Sequence, residues 1–195
     1  MKKEIRIAEL RAIDPEENQE MIVEGRAIIY DSPTVLWEDE SGAKYYEVIT
    51  KGALDSADLK DVPFKYNHSD SVMIMARTRN GTLSLMPDES GLLMRASLAN
   101  ITAGRDLYEL IKRKDIDKMS FAFTIDEESY DRQTRTRTIR KFKKIWDVSA
   151  VDTPAYSDTS ISARSFFEAE AERERKELES AELQRRKRLS LRTHL

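Results

Sequence analysis

The chain contains no cysteine, which excludes disulfides and thiolate metal sites. Its only histidines are His68 and His194, so a multi-histidine metal site is excluded as well. Long apolar runs are missing. The longest purely apolar stretch is Val72 to Ala76, far too short to cross a bilayer. The start, Met1-Lys2-Lys3-Glu4-Ile5-Arg6, is not followed by the apolar segment of a signal peptide. A strong excess of charge of one sign is also lacking: the net charge of −3 does not mark a nucleic-acid binder. These absences predict a soluble protein, intracellular where it is made, with no metal, no cofactor, no membrane and no nucleic-acid partner.

Charged residues make up 35 % of the 195 residues and hydrophobic ones 39 %. The excess charge lies mostly in the last thirty residues, so the remainder can still bury a core. Within that remainder, hydrophobicity repeatedly alternates with period two, as in half-buried strands. Strands are predicted at Ile5 to Ile13, Met21 to Tyr30 (with Gly25 as a bulge), Tyr45 to Ile49, Val62 to His68 and Met73 to Thr78. Further strands are expected at Leu83 to Met86, Leu92 to Leu98, Met119 to Ile125, Thr136 to Phe142 and Ile145 to Val151. Asn80-Gly81 and Pro87 to Gly91 supply turns. Helices are predicted at Gly52 to Leu59 and at Thr102 to Lys114, the second capped by Thr102 and facing inward with Leu107, Leu110 and Ile111. This pattern predicts a mainly β, barrel-like domain with peripheral helices.

A boundary is expected at Arg164, dividing a domain of residues 1–164 from a charged helical or partly disordered tail of residues 165–195. Ser165 to Thr193 has no Gly or Pro, and Ser165 with Glu168 reads as a capping box. Residues 168–182 hold seven acids and three bases, whereas residues 183–192 hold five bases and no acid. The stripe Phe167, Ala171, Glu174, Leu178, Ala181, Arg185 is only half apolar, too weak for a coiled coil. Such a tail suits docking and self-cleavage better than joining a core.

Three residues invite a chemical reading. His68 ends the run Val62 to His68 and shares a predicted strand face with Phe64 and Tyr66. It is the only imidazole of the main body, and imidazole can take and return a proton near neutral pH. Ser120 lies on a face of small residues with Ala122 and Thr124, opposite Met119, Phe121, Phe123 and Ile125. Small neighbours leave room above a nucleophile, and a serine needs an adjacent base. Asp147, between Trp146 and Val148 in an apolar run, is out of pattern, and such acids are usually paired. Asp70 and Asp152 remain alternatives for the group that orients the imidazole.

Several segments, in order and at their spacing, resemble the prohead serine proteases of tailed bacteriophages over roughly residues 4 to 164. They are Gly25-Arg26-Ala27 with Tyr30, Glu47-Val48-Ile49, Lys51-Gly52-Ala53-Leu54, Asn67-His68, Ala76-Arg77-Thr78, and Asp88 with Gly91-Leu92. Met119-Ser120-Phe121-Ala122-Phe123, Val148-Ser149-Ala150-Val151 and Pro154-Ala155-Tyr156 complete the set. That family resembles the herpesvirus assembly protease, which implies a closed β-barrel ringed by helices. The resemblance implies that His68 and Ser120 match the base and nucleophile, with Asp147 as the acid before the Val-Ser-x-Val motif and Arg77 as an oxyanion or substrate contact. The second histidine of the herpesvirus enzymes has no counterpart here. Ala76 and Ala122 stand where the family more often has glycine.

The implied activity is serine endopeptidase cleavage of the major capsid protein's scaffolding segment, and of the protease itself, inside the assembling procapsid in the host bacterial cytoplasm. A homo-oligomer is compatible with this. The alternative is a non-catalytic capsid-assembly or scaffold protein of the same fold.

Overall fold

The computed structural model describes residues 3–14, 20–152 and 156–192, and, within the last helix, the side chains of residues 165–177 and 179–185. Pro154, Ala155 and His194 lie outside the described residues. In chain order the strands are β1 (Glu4–Glu9), β2 (Arg11–Ile13), β3 (Ile22–Ile29), β4 (Thr34–Glu38), β5 (Lys44–Ile49), β6 (Pro63–Tyr66), β7 (Ala76–Arg77), β8 (Leu83–Asp88) and β9 (Gly91–Ser97). Helix α1 (Thr102–Lys112) follows, then β10 (Lys118–Asp131), β11 (Thr136–Val151) and helix α2 (Tyr156–Arg192).

The strands form two sheets. The larger runs β1-β10-β11-β5-β4, with β6 added to β11 and β7 to β6; the smaller runs β2-β3-β9-β8. The closed barrel is not formed, because neither sheet returns upon itself. The chain changes sheets within residues 4–13. The chain leaves the larger sheet after Glu9, buries Leu10, and enters the smaller sheet at Arg11. What reads as one strand is therefore two, in different sheets. Where β3 crosses β1, Gly25 allows the contact: a Cβ there would lie 2.1 Å from the Glu9 carbonyl oxygen. Gly25 thus marks a close approach of backbones, and the irregularity in β3 falls at Ala27 instead.

β1 buries its charged face. Glu4 and Arg6 are buried, while Ile5 and Ile7 are only partly covered. The buried charges are paired. Arg6 donates from Nε to Glu47 at 2.7 Å and from Nη2 to Glu4 at 2.9 Å, and Arg137 forks onto Glu4 at 2.8 and 2.9 Å. Burial works against the charge of Arg6, but Glu47 and Glu4 outweigh it and raise its pKa.

Both helices differ from expectation. Residues 51–56 are successive turns, with Gly52 at φ 86°, because the chain must return to pair Asp58 with Lys144 of β11. α1 buries Leu107, Tyr108 and Ile111, whereas Leu110 faces outward; the Tyr108 hydroxyl donates to the Ile13 carbonyl at 2.6 Å. The N-cap of α1 is Ile101, without a side-chain cap. Ser165 does not start a helix, since α2 is already running from Tyr156. In α2, Phe167 is fully buried against Tyr45, and Phe166 lies over the Arg137 guanidinium at 4.5 Å.

Candidate active site

β10 and β11 form the platform of the site. Their register places Ser120 opposite Ser149 and Ala122 opposite Asp147, all on one face. On the other side Ser120 pairs with Ile7 of β1. Asp147 reaches this face through a bulge. Ala122 pairs with Asp147 but Phe123 pairs with Ile145, so Trp146 is the extra residue. The bulge reverses the parity of β11: Ile145 points into the core, and Asp147, two residues later, points to the opposite side. This explains why the acid is out of pattern in the sequence.

His68 does not lie on a strand. β6 ends at Tyr66, and Asn67 and His68 both adopt left-handed backbone, at φ 48° and 53°. Asparagine and histidine are both among the non-glycine residues enriched in this region, although two successive left-handed residues still cost on the order of 1 kcal/mol each. The turn is held against β11. The Asn67 N–H donates to the Ala150 carbonyl at 2.9 Å, the His68 N–H donates to Ser149 Oγ at 3.2 Å, and Asn67 Oδ1 accepts from the Asp152 N–H at 3.2 Å. It brings the imidazole back over the platform.

The result is a continuous line of hydrogen bonds. Ser120 Oγ lies 2.8 Å from His68 Nε2, and His68 Nδ1 contacts Asp147 Oδ1. A carboxylate only accepts, so Nδ1 carries the proton and Nε2 is left to accept from the serine hydroxyl. That is the tautomer a general base requires. The open space expected above Ser120 is not there. Ser120 is 2 % exposed, and Ala122 and Thr124 are buried too. The small residues form a floor on which the imidazole and Asp147 sit.

Burial raises the pKa of Asp147, but the hydrogen bonds and charges of His68 and Lys3 outweigh it, and the carboxyl is held down at about 2. A depressed carboxyl stabilises the fold above its unfolded pKa, near 4, and loses that contribution as pH falls through about 2. The term is on the order of 2 kcal/mol. Melting temperatures measured from pH 5 to pH 2 are therefore expected to fall more steeply for the wild type than for Asp147→Asn. Parallel curves would contradict the pairing.

The alternatives for the third member are engaged elsewhere. Asp70 accepts from Lys65 at 2.5 Å, and Asp152 accepts from the Tyr66 hydroxyl at 2.7 Å. Arg77 is not brought to the Ser–His pair. It sits on β7, three strand positions from β10, or roughly 14 Å at ordinary strand spacing. Its guanidinium forks onto Asp61 at 2.5 and 2.9 Å.

Ser149 was not singled out by sequence reasoning, which met it only within the Val-Ser-Ala-Val segment. Its hydroxyl is fully buried, accepts from the His68 N–H, and lies 3.3 Å from both His68 Nδ1 and Asp147 Oδ1. The available signal was its parity with Asp147 in an apolar strand.

A family model, that of the caudovirus prohead serine protease, matches residues 7–173. Among solved structures, the bacteriophage T4 capsid assembly protease aligns with a TM-score of 0.48 and 13 % identity, over 77 % of this chain and 99 % of that one. No curated protein sequence matches. The matched span takes in both sheets and the segments that carry His68, Ser120 and Asp147. The chain belongs to the caudovirus prohead serine protease family, and is thus a protease of capsid maturation.

Proposed function

We propose that Ser120 is the nucleophile of a serine endopeptidase, His68 its general base and Asp147 the residue that orients the imidazole. His68 Nε2 takes the hydroxyl proton as Ser120 Oγ attacks the scissile carbonyl carbon. The imidazolium returns that proton to the leaving amine, and the acyl-enzyme forms. Water then attacks the ester, giving its proton to Nε2, and Ser120 is regenerated with release of the acid. The observation that carries this reading is the 2.8 Å contact between Ser120 Oγ and His68 Nε2, with Nδ1 taken by an ionised, buried Asp147. Backbone N–H groups supply the oxyanion donor, since Arg77 is forked onto Asp61 three strand positions from β10.

The substrate we propose is the scaffolding segment of the major capsid protein, together with the protease itself, cut inside the assembling procapsid of the infected cell. Family membership supports the capsid protein as substrate. Co-expression with the cognate capsid protein, read by fragment masses, tests it. Defined fragments that disappear with Ser120→Ala are expected; an intact capsid protein beside wild-type protease would overturn the proposal. A non-catalytic assembly protein of the same fold has no use for the buried Ser–His–Asp line.

The segment from Ser165 onward is proposed as a docking tail, with Phe166 and Phe167 as its anchor on the body. A chain ending after Ala171 keeps that anchor. It is expected to melt close to the full-length protein and to cut an unfolded substrate normally, while entering procapsids less often. A chain ending after Arg164 loses the buried Phe167, at a cost of about 3 kcal/mol or more. Melting curves and counts of protease per purified shell check both. Equal incorporation with and without the tail would place docking on the body.

A further inference from the structure

Each oxygen of the Asp147 carboxylate meets its own nitrogen donor. Oδ1 contacts His68 Nδ1, and Oδ2 accepts from Lys3 Nζ at 2.7 Å. Lys3 immediately precedes β1, the strand whose Ile7 lies opposite Ser120. Its side chain is 47 % exposed, whereas that of Asp147 is 4 % exposed. A cation thus reaches from solvent to the rear of a buried carboxylate. The mechanism above makes no use of it, and Lys3 lies before the span that the family model matches.

A carboxylate already shared with an ammonium has less charge to offer an imidazolium. Lys3 also fixes the far oxygen of the Asp147 side chain, which the contacts of His68 and Ser149 with Oδ1 alone would leave able to swing. We propose that Lys3 is a positioning residue, which anchors the Asp147 carboxylate and sets the acid limit of catalysis by sharing its charge. The inference rests on the Ser120–His68–Asp147 reading.

The neighbouring charges do not substitute for it. On β6 and the loop after it, Lys65 and Asp70 neutralise each other at 2.5 Å, although Asp70 also feels both Lys3 and Asp147. On β11, Lys144 is taken by Asp58 at 2.9 Å, and beyond β11 Asp152 holds the Tyr66 hydroxyl at 2.7 Å. Among the described residues, the cationic partner of Asp147 besides His68 is Lys3.

The test is the pH dependence of kcat/KM of the full-length chain on the cognate capsid protein, for wild type, Lys3→Met and Lys3→Arg. Melting temperatures are measured alongside. A cation held against the far oxygen of the carboxylate that faces the imidazole displaces the acid limb by about half a unit to one unit. Lys3→Met is expected to move the limb upward by that amount, so that activity on the limb falls roughly three- to tenfold. Lys3→Arg is expected to restore it, and high salt to move the wild type towards Lys3→Met. An acid limb unchanged in Lys3→Met overturns the inference, whether or not the plateau or the melting temperature drops. Ser120→Ala, run in the same assay, separates the two levels. If it cuts as fast as wild type, the Ser–His–Asp reading has failed; if it is inactive and the Lys3→Met limb is unmoved, only the role of Lys3 has failed.

Discussion

Replacing Ser120 by alanine is expected to leave the capsid protein uncut and the protease itself full length. Loss of a nucleophile that acts as a unit with its base removes on the order of 10⁴-fold or more of the rate. The fold is expected to survive. Ser120 is buried, but it faces the imidazole rather than the apolar core, and alanine keeps the Cβ that its strand packs around. The loss of one hydroxyl leaves His68 Nε2 without its partner, and the imidazole is part exposed to water, which can take that place. Fragment masses from co-expression and a melting curve of the variant measure the two halves of this expectation. Wild-type processing by Ser120→Ala would remove Ser120 from the chemistry.

Asp147→Asn is expected to be nearly as damaging to turnover, by roughly 10⁴-fold in kcat. The asparagine amide can present an N–H to Nδ1. The imidazole then places its own proton on Nε2, which faces Ser120 Oγ at 2.8 Å and can no longer accept from it. Folding is expected to suffer much less than turnover, because the amide is of similar size and still accepts from Lys3 through its carbonyl oxygen. Asp70 and Asp152 are not expected to take over, since Lys65 and Tyr66 already hold them. Full activity in Asp147→Asn would reduce the machinery to the Ser120–His68 pair.

Much of the site is legible in the sequence. The alternation around Ser120 placed it opposite Phe121 and Phe123, and both phenylalanines are core residues in the structure. Asp147 was recognised as an acid in the wrong place, and the Trp146 bulge is the reason that it looked so. The bulge itself was hidden, because one inserted residue leaves the local composition unchanged. The left-handed pair at Asn67 and His68 was hidden as well: both residue types are enriched in that region, but neither requires it.

The fold was legible as strands but not as sheets. The apolar positions change parity within residues 5–13, from Ile5 and Ile7 to Ala8, Leu10 and Ala12, just before the exchange of sheets at Leu10; a single unbroken strand was nevertheless expected there. The buried face of β1 is set by distant partners as well. Ile5 and Ile7 share a face with Glu9 and Arg11, and the pairing that buries Glu4 and Arg6 with Glu47 and Arg137 involves partners up to 133 residues away. No local pattern contains that information. Lys3 is hidden in the same way, as its partner Asp147 is 144 residues distant.

The central claim is that Ser120 is a nucleophile activated by His68, and covalent labelling tests it most directly. The purified full-length chain is treated with a fluorophosphonate, which phosphonylates an activated serine with loss of fluoride, and the adduct is located by peptide mass spectrometry. The account predicts one adduct, on Ser120, formed in the wild type and strongly suppressed in His68→Ala. An unlabelled Ser120 in a preparation that still cuts capsid protein, or equal labelling with and without His68, would contradict it.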